Sequence, residues 1–185
     1  IHETYTRGRQ ANTGIVPTED LDTALDRHAS LDDSQRRLVE AFCRSGYAVQ
    51  CAIGPPGSGK TTAMAAAATA WQTAGYKVIG AAIKGEAARV LAAATGIETN
   101  TIAWYLTQHN HGHTSPFDAQ TVLIIDEAGT VDDRTLRQLC DITTSTRTTV
   151  RLIGDPHQHG AVNAGGTYTT LTRLHPQDTP QLDGN

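Results

Sequence analysis

Apolar and polar positions along this chain follow two patterns, one typical of strands and one typical of helices. Continuous apolar runs predict four strands, at Ala48–Ile53, Lys77–Ile83, Thr121–Asp126 and Thr149–Gly154. Between them, stops and helical spacing predict helices at Thr61–Ala74, Glu86–Thr95, Thr101–Gln108 and from Asp132 or Asp133 to about Thr143. Strands that alternate with helices form right-handed βαβ units. The pattern therefore predicts an α/β fold, a parallel sheet with helices on both faces.

The same pattern divides the chain into three parts. Residues 1–30 are polar and weakly patterned, so we expect a linker or the tail of a preceding domain, with a short helix near Leu21. A helix capped by Asp32 or Asp33 and stopped at Gly46 opens the main domain, residues 31–172. Residues 173–185 form a polar tail that we expect to lead to further domains. Because residue 1 is isoleucine, we expect a piece of a longer protein.

Composition and charge narrow the class of protein. The formal net charge is −4 over 185 residues, so any nucleic acid must be bound by a local groove rather than by overall attraction. Three widely spaced cysteines predict reduced thiols and a cytoplasmic protein rather than a disulfide framework. No apolar run approaches membrane-spanning length, and no signal-peptide pattern is present.

The segment Gly54–Thr62 carries the strongest chemical signal. It reads Gly-Pro-Pro-Gly-Ser-Gly-Lys-Thr-Thr between a predicted strand and a predicted helix, which is the phosphate-binding loop pattern (Walker A) in its required context. We expect Lys60 to reach the β- and γ-phosphates of a nucleoside triphosphate and the Thr61 hydroxyl to ligate Mg²⁺. The residues of this loop predicted to hold the nucleotide are Gly57, Ser58, Gly59, Lys60, Thr61 and Thr62.

Two further strand ends carry polar groups suited to the same site. The third predicted strand ends in Asp126, which would hold Mg²⁺, and Glu127, which would activate the attacking water (Walker B). The fourth is followed by Gln158, whose amide suits γ-phosphate sensing. Because the carboxyl ends of parallel strands meet at one edge of a sheet, we expect these groups to meet the loop. The predicted catalytic residues are therefore Lys60, Glu127 and Gln158.

In this order and spacing, the three motifs resemble the first RecA-like ATPase lobe of superfamily-one helicases of the RecD-like branch. The nearest resemblance is to the helicase part of conjugative relaxases of the TraI/TrwC type, over roughly Leu31 to Leu171. It implies a P-loop NTPase fold, ATP and Mg²⁺ as cofactors, single-stranded DNA as a partner, and Gln35 as the residue that reads adenine. Residues implied to face DNA are Lys84, Arg89, Thr101 and Trp104.

The resemblance also implies an incomplete enzyme. In this family an arginine from a second RecA-like lobe completes the catalytic site, and Arg173 is the sole arginine after Gln158 here. We therefore expect a competent nucleotide site with little ATPase activity in the isolated chain. The chain departs from the family pattern in the DNA-facing segments, at Ala82-Ile83 and Ala103-Trp104, and at His159 after the sensor glutamine. No counterpart of the relaxase nuclease is found in the sequence.

Other interpretations stay open on the sequence alone. A small-molecule kinase uses the same loop, and a catalytically poor nucleotide-dependent docking module would keep it. Strand order discriminates, because motor-type hydrolases insert the Gln158 strand between the loop strand and the Asp126 strand. Base stacking or core packing would each explain Trp104 and Tyr105. The alternating histidines, which are His109, His111 and His113, indicate either a solvated loop or incidental metal capture.

Overall fold

A computed structural model describes residues 2–111, 115–158 and 166–184, in which five strands form one parallel sheet. The strands are β1 (Val49–Ile53), β2 (Lys77–Ala82), β3 (Glu98–Thr101), β4 (Thr121–Ile125) and β5 (Thr149–Gly154). Their order across the sheet is β1-β5-β4-β2-β3. The predicted α/β class is confirmed, and β5 lies between β1 and β4, as expected of motor-type hydrolases. Strand β3 was not predicted, because its residues are all polar and it lies at the edge of the sheet.

Eight α-helices connect or flank these strands in the described residues. They are α1 (His2–Arg7), α2 (Thr18–Arg27), α3 (Asp33–Arg44), α4 (Lys60–Thr73), α5 (Gly85–Thr95), α6 (Ile102–Asn110), α7 (Asp133–Thr146) and α8 (Thr167–Leu174). Asp32 caps α3 in a capping box with Gln35, and Asp132 caps α7 by accepting from the Thr135 N–H. In each pair of adjacent aspartates that the sequence left open, the first one is the N-cap. The sequence did not predict α1 or α8.

Two apolar cores lie on opposite faces of the sheet. On one face, α2, α3 and α4 pack against strand residues such as Val122 and Ile124. On the other face, α6, α7 and α8 pack against Leu123 and Ile125, the alternate positions of the same strand. All five residues of β4 are buried, as expected of a strand covered on both faces. The covered sheet leaves its strand ends as the places where polar chemistry can reach solvent.

Residues 2–30 and 175–184 both pack on this domain. Tyr5 and Leu21 are buried in the two cores, and the Trp71 indole N–H donates to the Gly14 carbonyl at 2.8 Å. At the other end, Gln181 forms a parallel bridge with Ile53, and Leu182 is buried. Neither segment lies free as a linker in the structure, and the domains to which they lead stay a prediction.

Arg151 is a fully buried cation in the middle of β5. It donates to the Phe42 carbonyl at 2.9 Å and to the Tyr47 carbonyl at 2.8 Å, and it lies over the rings of Phe42 and Trp71. Burial lowers the pKa of Arg151 to about 10. Because carbonyls in the last turn of a helix lack helical partners, Arg151 satisfies the carbonyl of Phe42 and ties α3 to the sheet.

Candidate nucleotide site

The phosphate-binding loop lies between β1 and α4, as the sequence predicts. Gly57 and Gly59 have φ of +76° and +75°, the left-handed region that glycine adopts without strain. Gly59 is the N-cap of α4, and the Ser58 hydroxyl donates to the Pro55 carbonyl at 2.8 Å. The turn therefore presents the unpaired N–H groups of a helix start, which together with the helix dipole form an anion site.

Lys60 reaches back across this loop. Its ammonium donates to the Gly54 carbonyl at 2.9 Å and to the Pro55 carbonyl at 3.1 Å. A Cβ at Gly54 would lie 2.4 Å from Lys60 Cγ, so glycine is required beneath the lysine stem. Thr61 is half-buried and Thr62 exposed in the first turn of α4. The lysine charge therefore lies at the loop itself, where terminal phosphates would contact it.

Asp126 and Glu127 follow β4 but differ in environment. The Asp126 N–H donates to the Ala81 carbonyl, and its carboxylate accepts from the Glu127 N–H at 2.8 Å. Burial raises the pKa of Asp126, the Glu127 N–H and the Lys60 charge oppose the rise, and the Glu127 charge adds to it. Glu127 is exposed and has φ of +53°, a strained conformation for a side chain other than glycine. The turn thus directs two neighbouring acids into separate surroundings.

The ends of β4 and β5 approach so closely that only glycine fits between them. A Cβ at Gly154 would lie 3.0 Å from the backbone nitrogens of Ala128 and Gly129. A Cβ at Gly129 would in turn lie 2.9 Å from the Asp155 carbonyl oxygen. Ala128 and Gly129 were not among the predicted site residues, although small residues directly after two acids at a strand end are a signal for such packing.

Backbone hydrogen bonds bring the three motifs to one edge of the sheet. The Gly54 N–H donates to the Gly154 carbonyl at 2.8 Å, which joins the phosphate-binding loop to the end of β5. Gln158 follows in an exposed turn, where its N–H donates to the Asp155 carbonyl at 3.3 Å. Since β5 lies between β1 and β4, the loop, the acids and the glutamine turn are at neighbouring strand ends.

Gln35 is buried at the start of α3 and contacts the loop. Its carbonyl oxygen accepts from the Asp32 N–H at 3.1 Å, and its amide donates to the Ser58 carbonyl at 3.4 Å. A Cβ at Gly59 would lie 2.1 Å from the Gln35 amide nitrogen. The capping box with Asp32 fixes the Gln35 side chain, and its amide contacts the loop at the Ser58 carbonyl. A contact of Gln35 with adenine stays a prediction.

The donor set at this edge fits Mg²⁺ and a triphosphate. Mg²⁺ prefers oxygen ligands, and the Asp126 carboxylate and the Thr61 hydroxyl are the oxygen groups that would hold it. The positive charge of Lys60 also lowers the pKa of Asp126 against the effect of burial. The helix start, the lysine and the acid thus offer a phosphate chain and its metal complementary charges.

The residues predicted to face DNA lie on the β2–β3 side of the sheet. Lys84 is the exposed N-cap of α5, and Arg89 is exposed further along that helix. A cleft of about 340 Å³ joins this region to the twin acids; it is lined by Lys84, Glu86, Ala87, Val90, Asp126 and Glu127. This cleft connects the nucleotide edge with the candidate DNA surface.

Trp104 and Tyr105 are neighbouring aromatic residues on α6 that differ in exposure. Trp104 is 41% exposed, whereas Tyr105 is fully buried against Phe117. The Thr101 hydroxyl accepts from the Trp104 N–H at 3.1 Å, so Thr101 is the N-cap of α6. Trp104 therefore remains available for base stacking, while Tyr105 belongs to the core.

The alternating histidines and the three cysteines noted in the sequence lie outside the three motifs along the chain. His109 lies near the end of α6 and His111 follows that helix, while His113 lies outside the described residues. Within residues 2–111, 115–158 and 166–184, no cluster of three metal-ligating side chains is found. The three cysteines are buried and unbridged. In the same ranges, no helix is long and apolar enough to cross a membrane.

Comparison with known proteins places this site in a family. The AAA domain family matches residues 30–184 of the chain. A probable conjugal transfer protein TraA of Sinorhizobium fredii is 34% identical over 156 residues, which is 84% of this chain and 14% of that protein. The conjugal transfer protein TraA of Agrobacterium fabrum is 34% identical over 160 residues, 86% of this chain and 14% of that protein.

A helicase is among the relatives as well. The ATP-dependent RecD2 DNA helicase of Deinococcus radiodurans is 30% identical over 153 residues, 79% of this chain and 20% of that protein. The chain thus spans between 14% and 20% of the length of these curated relatives. The chain belongs to the AAA domain family, and it is similar in sequence to a RecD2 helicase and to conjugal transfer proteins.

Proposed function

We propose that this chain is the ATP-binding motor lobe of a DNA helicase or translocase, part of a cytoplasmic conjugative relaxase-helicase. The observation that carries the proposal is the strand order, in which β5 separates the loop strand from the strand of the twin acids. That order supports a motor-type hydrolase over a small-molecule kinase. The relatives named for conjugal transfer and for a DNA helicase support single-stranded DNA as the partner of the longer protein.

Each residue of the site has a role in this proposal. Lys60 binds the terminal phosphates, and Thr61 and Asp126 hold Mg²⁺, which supplies charge neutralisation at the phosphates when bound. Glu127, exposed at the strand end, takes the proton of the attacking water. Gln158 donates to the γ-phosphate. Gln35, already against the loop, contacts adenine.

Hydrolysis in this proposal needs a second RecA-like lobe. An arginine beside the γ-phosphate stabilises transition-state charge by about 10³–10⁵ in rate in related phosphoryl-transfer enzymes. Arg173, the single arginine after Gln158 in this sequence, is exposed on α8. The isolated chain is therefore expected to bind ATP while turning it over very slowly. Robust DNA-stimulated turnover by a monomer of this chain would contradict that expectation.

Calorimetry with Mg-ATP tests the nucleotide site directly. Lys60→Ala removes a charge-assisted contact to the phosphates and should weaken binding by about a hundredfold or more. Lys77→Ala is the matched control, because Lys77 is an exposed lysine at the amino end of β2, and the phosphate-binding loop follows the carboxyl end of β1. Equal affinities of the wild-type chain and the Lys60→Ala variant would overturn the assignment.

A further inference from the structure

Tyr168 is a buried tyrosine that lies beside the backbone segments carrying the three nucleotide motifs. It lies on α8, after the glutamine turn, and is 2% exposed. Its hydroxyl lies 2.6 Å from the Ala52 carbonyl in β1 and 3.0 Å from the Gly154 carbonyl at the end of β5. Nothing in the sequence pattern marks this residue, because its partners are 116 and 14 positions away.

The ring of Tyr168 extends these contacts to the acidic turn. A Cβ at Gly129 would lie 3.6 Å from Tyr168 Cδ1, so the ring lies beside the turn that follows Glu127. The Gly154 carbonyl that faces the tyrosine hydroxyl also accepts from the Gly54 N–H at 2.8 Å. One side chain thus joins the strand before the phosphate-binding loop, the strand before Gln158 and the turn after the acids.

The hydroxyl is a permanent donor to a pair of acceptors. Burial raises the pKa of Tyr168 above its usual range, so the proton is retained at every physiological pH. Both Ala52 and Gly154 present carbonyls, and a single O–H shared between them holds the two strand ends at a fixed separation. Loss of the hydroxyl would leave these carbonyls without that shared donor in a dry site.

We propose that Tyr168 is a positioning residue that sets the spacing between the phosphate-binding loop and the γ-phosphate-sensing turn, and thereby the preference for ATP over ADP. This rests on the proposed function. The β-phosphate, which both nucleotides have, contacts the loop and does not need the glutamine turn. The γ-phosphate must meet Lys60 from the loop and Gln158 from the β5 turn together, so it alone depends on their separation.

The test is Tyr168→Phe, with affinities for Mg-ATPγS and Mg-ADP measured by calorimetry. The variant should lose about threefold to tenfold in ATPγS affinity, the usual effect of one buried hydrogen bond, while ADP affinity stays within about twofold. Tyr105→Phe is the matched control, because Tyr105 is also fully buried but packs against Phe117 near β3. Its ratio of ATPγS to ADP affinity should equal that of the wild-type chain.

The outcomes separate this inference from the proposed function. Wild-type chain that binds neither nucleotide overturns the proposed function. Binding by the wild type with an unchanged affinity ratio in Tyr168→Phe, or with equal losses for both nucleotides, overturns the role of Tyr168 alone. If the variant does not fold, hydrogen exchange of the wild type decides. The amides of Gly54, Asp155, His157 and Gln158 should then gain protection together with ATPγS but not with ADP. Protection of Gly54 that changes independently of the other three would overturn the inference.

Discussion

The two halves of the sheet hold their strand ends in different ways. In the nucleotide half (β1, β5 and β4), the strand ends contact one another through backbone, as when Gly54 donates to Gly154. In the outer half (β2 and β3), β2 has one such contact, from the Asp126 N–H to the Ala81 carbonyl, and the helices after β2 and β3 present side chains to solvent. There Lys84 is exposed, Trp104 is 41% exposed and Val90 is 60% exposed.

This difference follows from what each half is proposed to bind. A phosphate chain and its metal need donors fixed to within a fraction of an ångström, which backbone contacts and glycine approaches supply. Single-stranded DNA is bound by stacking and by charges that tolerate changes of base. Rigid geometry in one half and adaptable side chains in the other are therefore the expected division in a lobe that uses ATP to move along a strand.

Among variants that test this difference between the two halves, Gly59→Ala is expected to have the largest effect, on Mg-ATP affinity. Gly59 has φ of +75°, and a Cβ there would lie 2.1 Å from the Gln35 amide nitrogen. The substitution therefore strains the backbone and displaces Gln35 from the loop, and it should lower Mg-ATP affinity by about a hundredfold. Calorimetry measures the loss.

Gly96→Ala is the matched variant in the outer half. Gly96 has φ of +70° at the end of α5, but a Cβ there meets nothing within 4 Å. The variant should lose about 1 kcal/mol of unfolding free energy from backbone strain alone, with Mg-ATP affinity unchanged. Similar affinity losses in the Gly59 and Gly96 variants would show that the nucleotide half is no more tightly constrained than the outer half.

A smaller effect, on DNA alone, is expected from Trp104→Ala. The exposed indole offers a stacking surface, and its removal should weaken binding of a fluorescent oligothymidine by about tenfold at low salt. Fluorescence anisotropy measures this affinity, and Mg-ATP affinity should not change. Leu174→Ala is the control, because Leu174 is an exposed apolar residue on α8. A wild-type chain that does not bind the oligonucleotide, or equal losses in both variants, would contradict a DNA surface on the outer half.

The sequence predicted the nucleotide half better than the outer half. The apolar strands before Gly54, Asp126 and Asp155 carry the chemistry at their ends, so strand periodicity and motif together indicate where the groups meet. Strand β3 has no apolar pattern because it is a half-exposed edge strand, and periodicity therefore gave no signal for it. The sequence left the role of Trp104 open, because exposure of one aromatic among two neighbours depends on tertiary packing.

Contacts between residues far apart in the chain could not be predicted from the sequence either. Arg151 interrupts an apolar run, and its partners Phe42 and Tyr47 lie more than a hundred residues earlier. Tyr168 follows a segment whose pattern had faded, yet it contacts β1 and β5. Such groups are recognisable only when the fold shows which buried carbonyls need a donor.

The smallest expected effect concerns the stability of the nucleotide half itself. Burial raises the pKa of Asp126, so the native state binds this proton more tightly than the unfolded chain does. The stability contributed by the protonated group is therefore lost as pH rises from its ordinary pKa, about 4, through the raised value. Asp126→Asn removes this loss. Without Mg²⁺, the variant should melt a few degrees higher than the wild-type chain at pH 8, and the difference should shrink at pH 4.

Thermal melts followed by circular dichroism from pH 4 to pH 8 measure the difference, with Asp141→Asn as the control, because Asp141 is an exposed carboxylate on α7. That control should show no comparable trend with pH. A wild-type chain that instead gains stability over Asp126→Asn as pH rises would mean that the fold stabilises the charged carboxylate by itself. A metal ligand behaves in the opposite way, since its charge is costly until the cation neutralises it. The sign of the pH trend therefore distinguishes a carboxylate held ready for Mg²⁺ from one that serves only the fold.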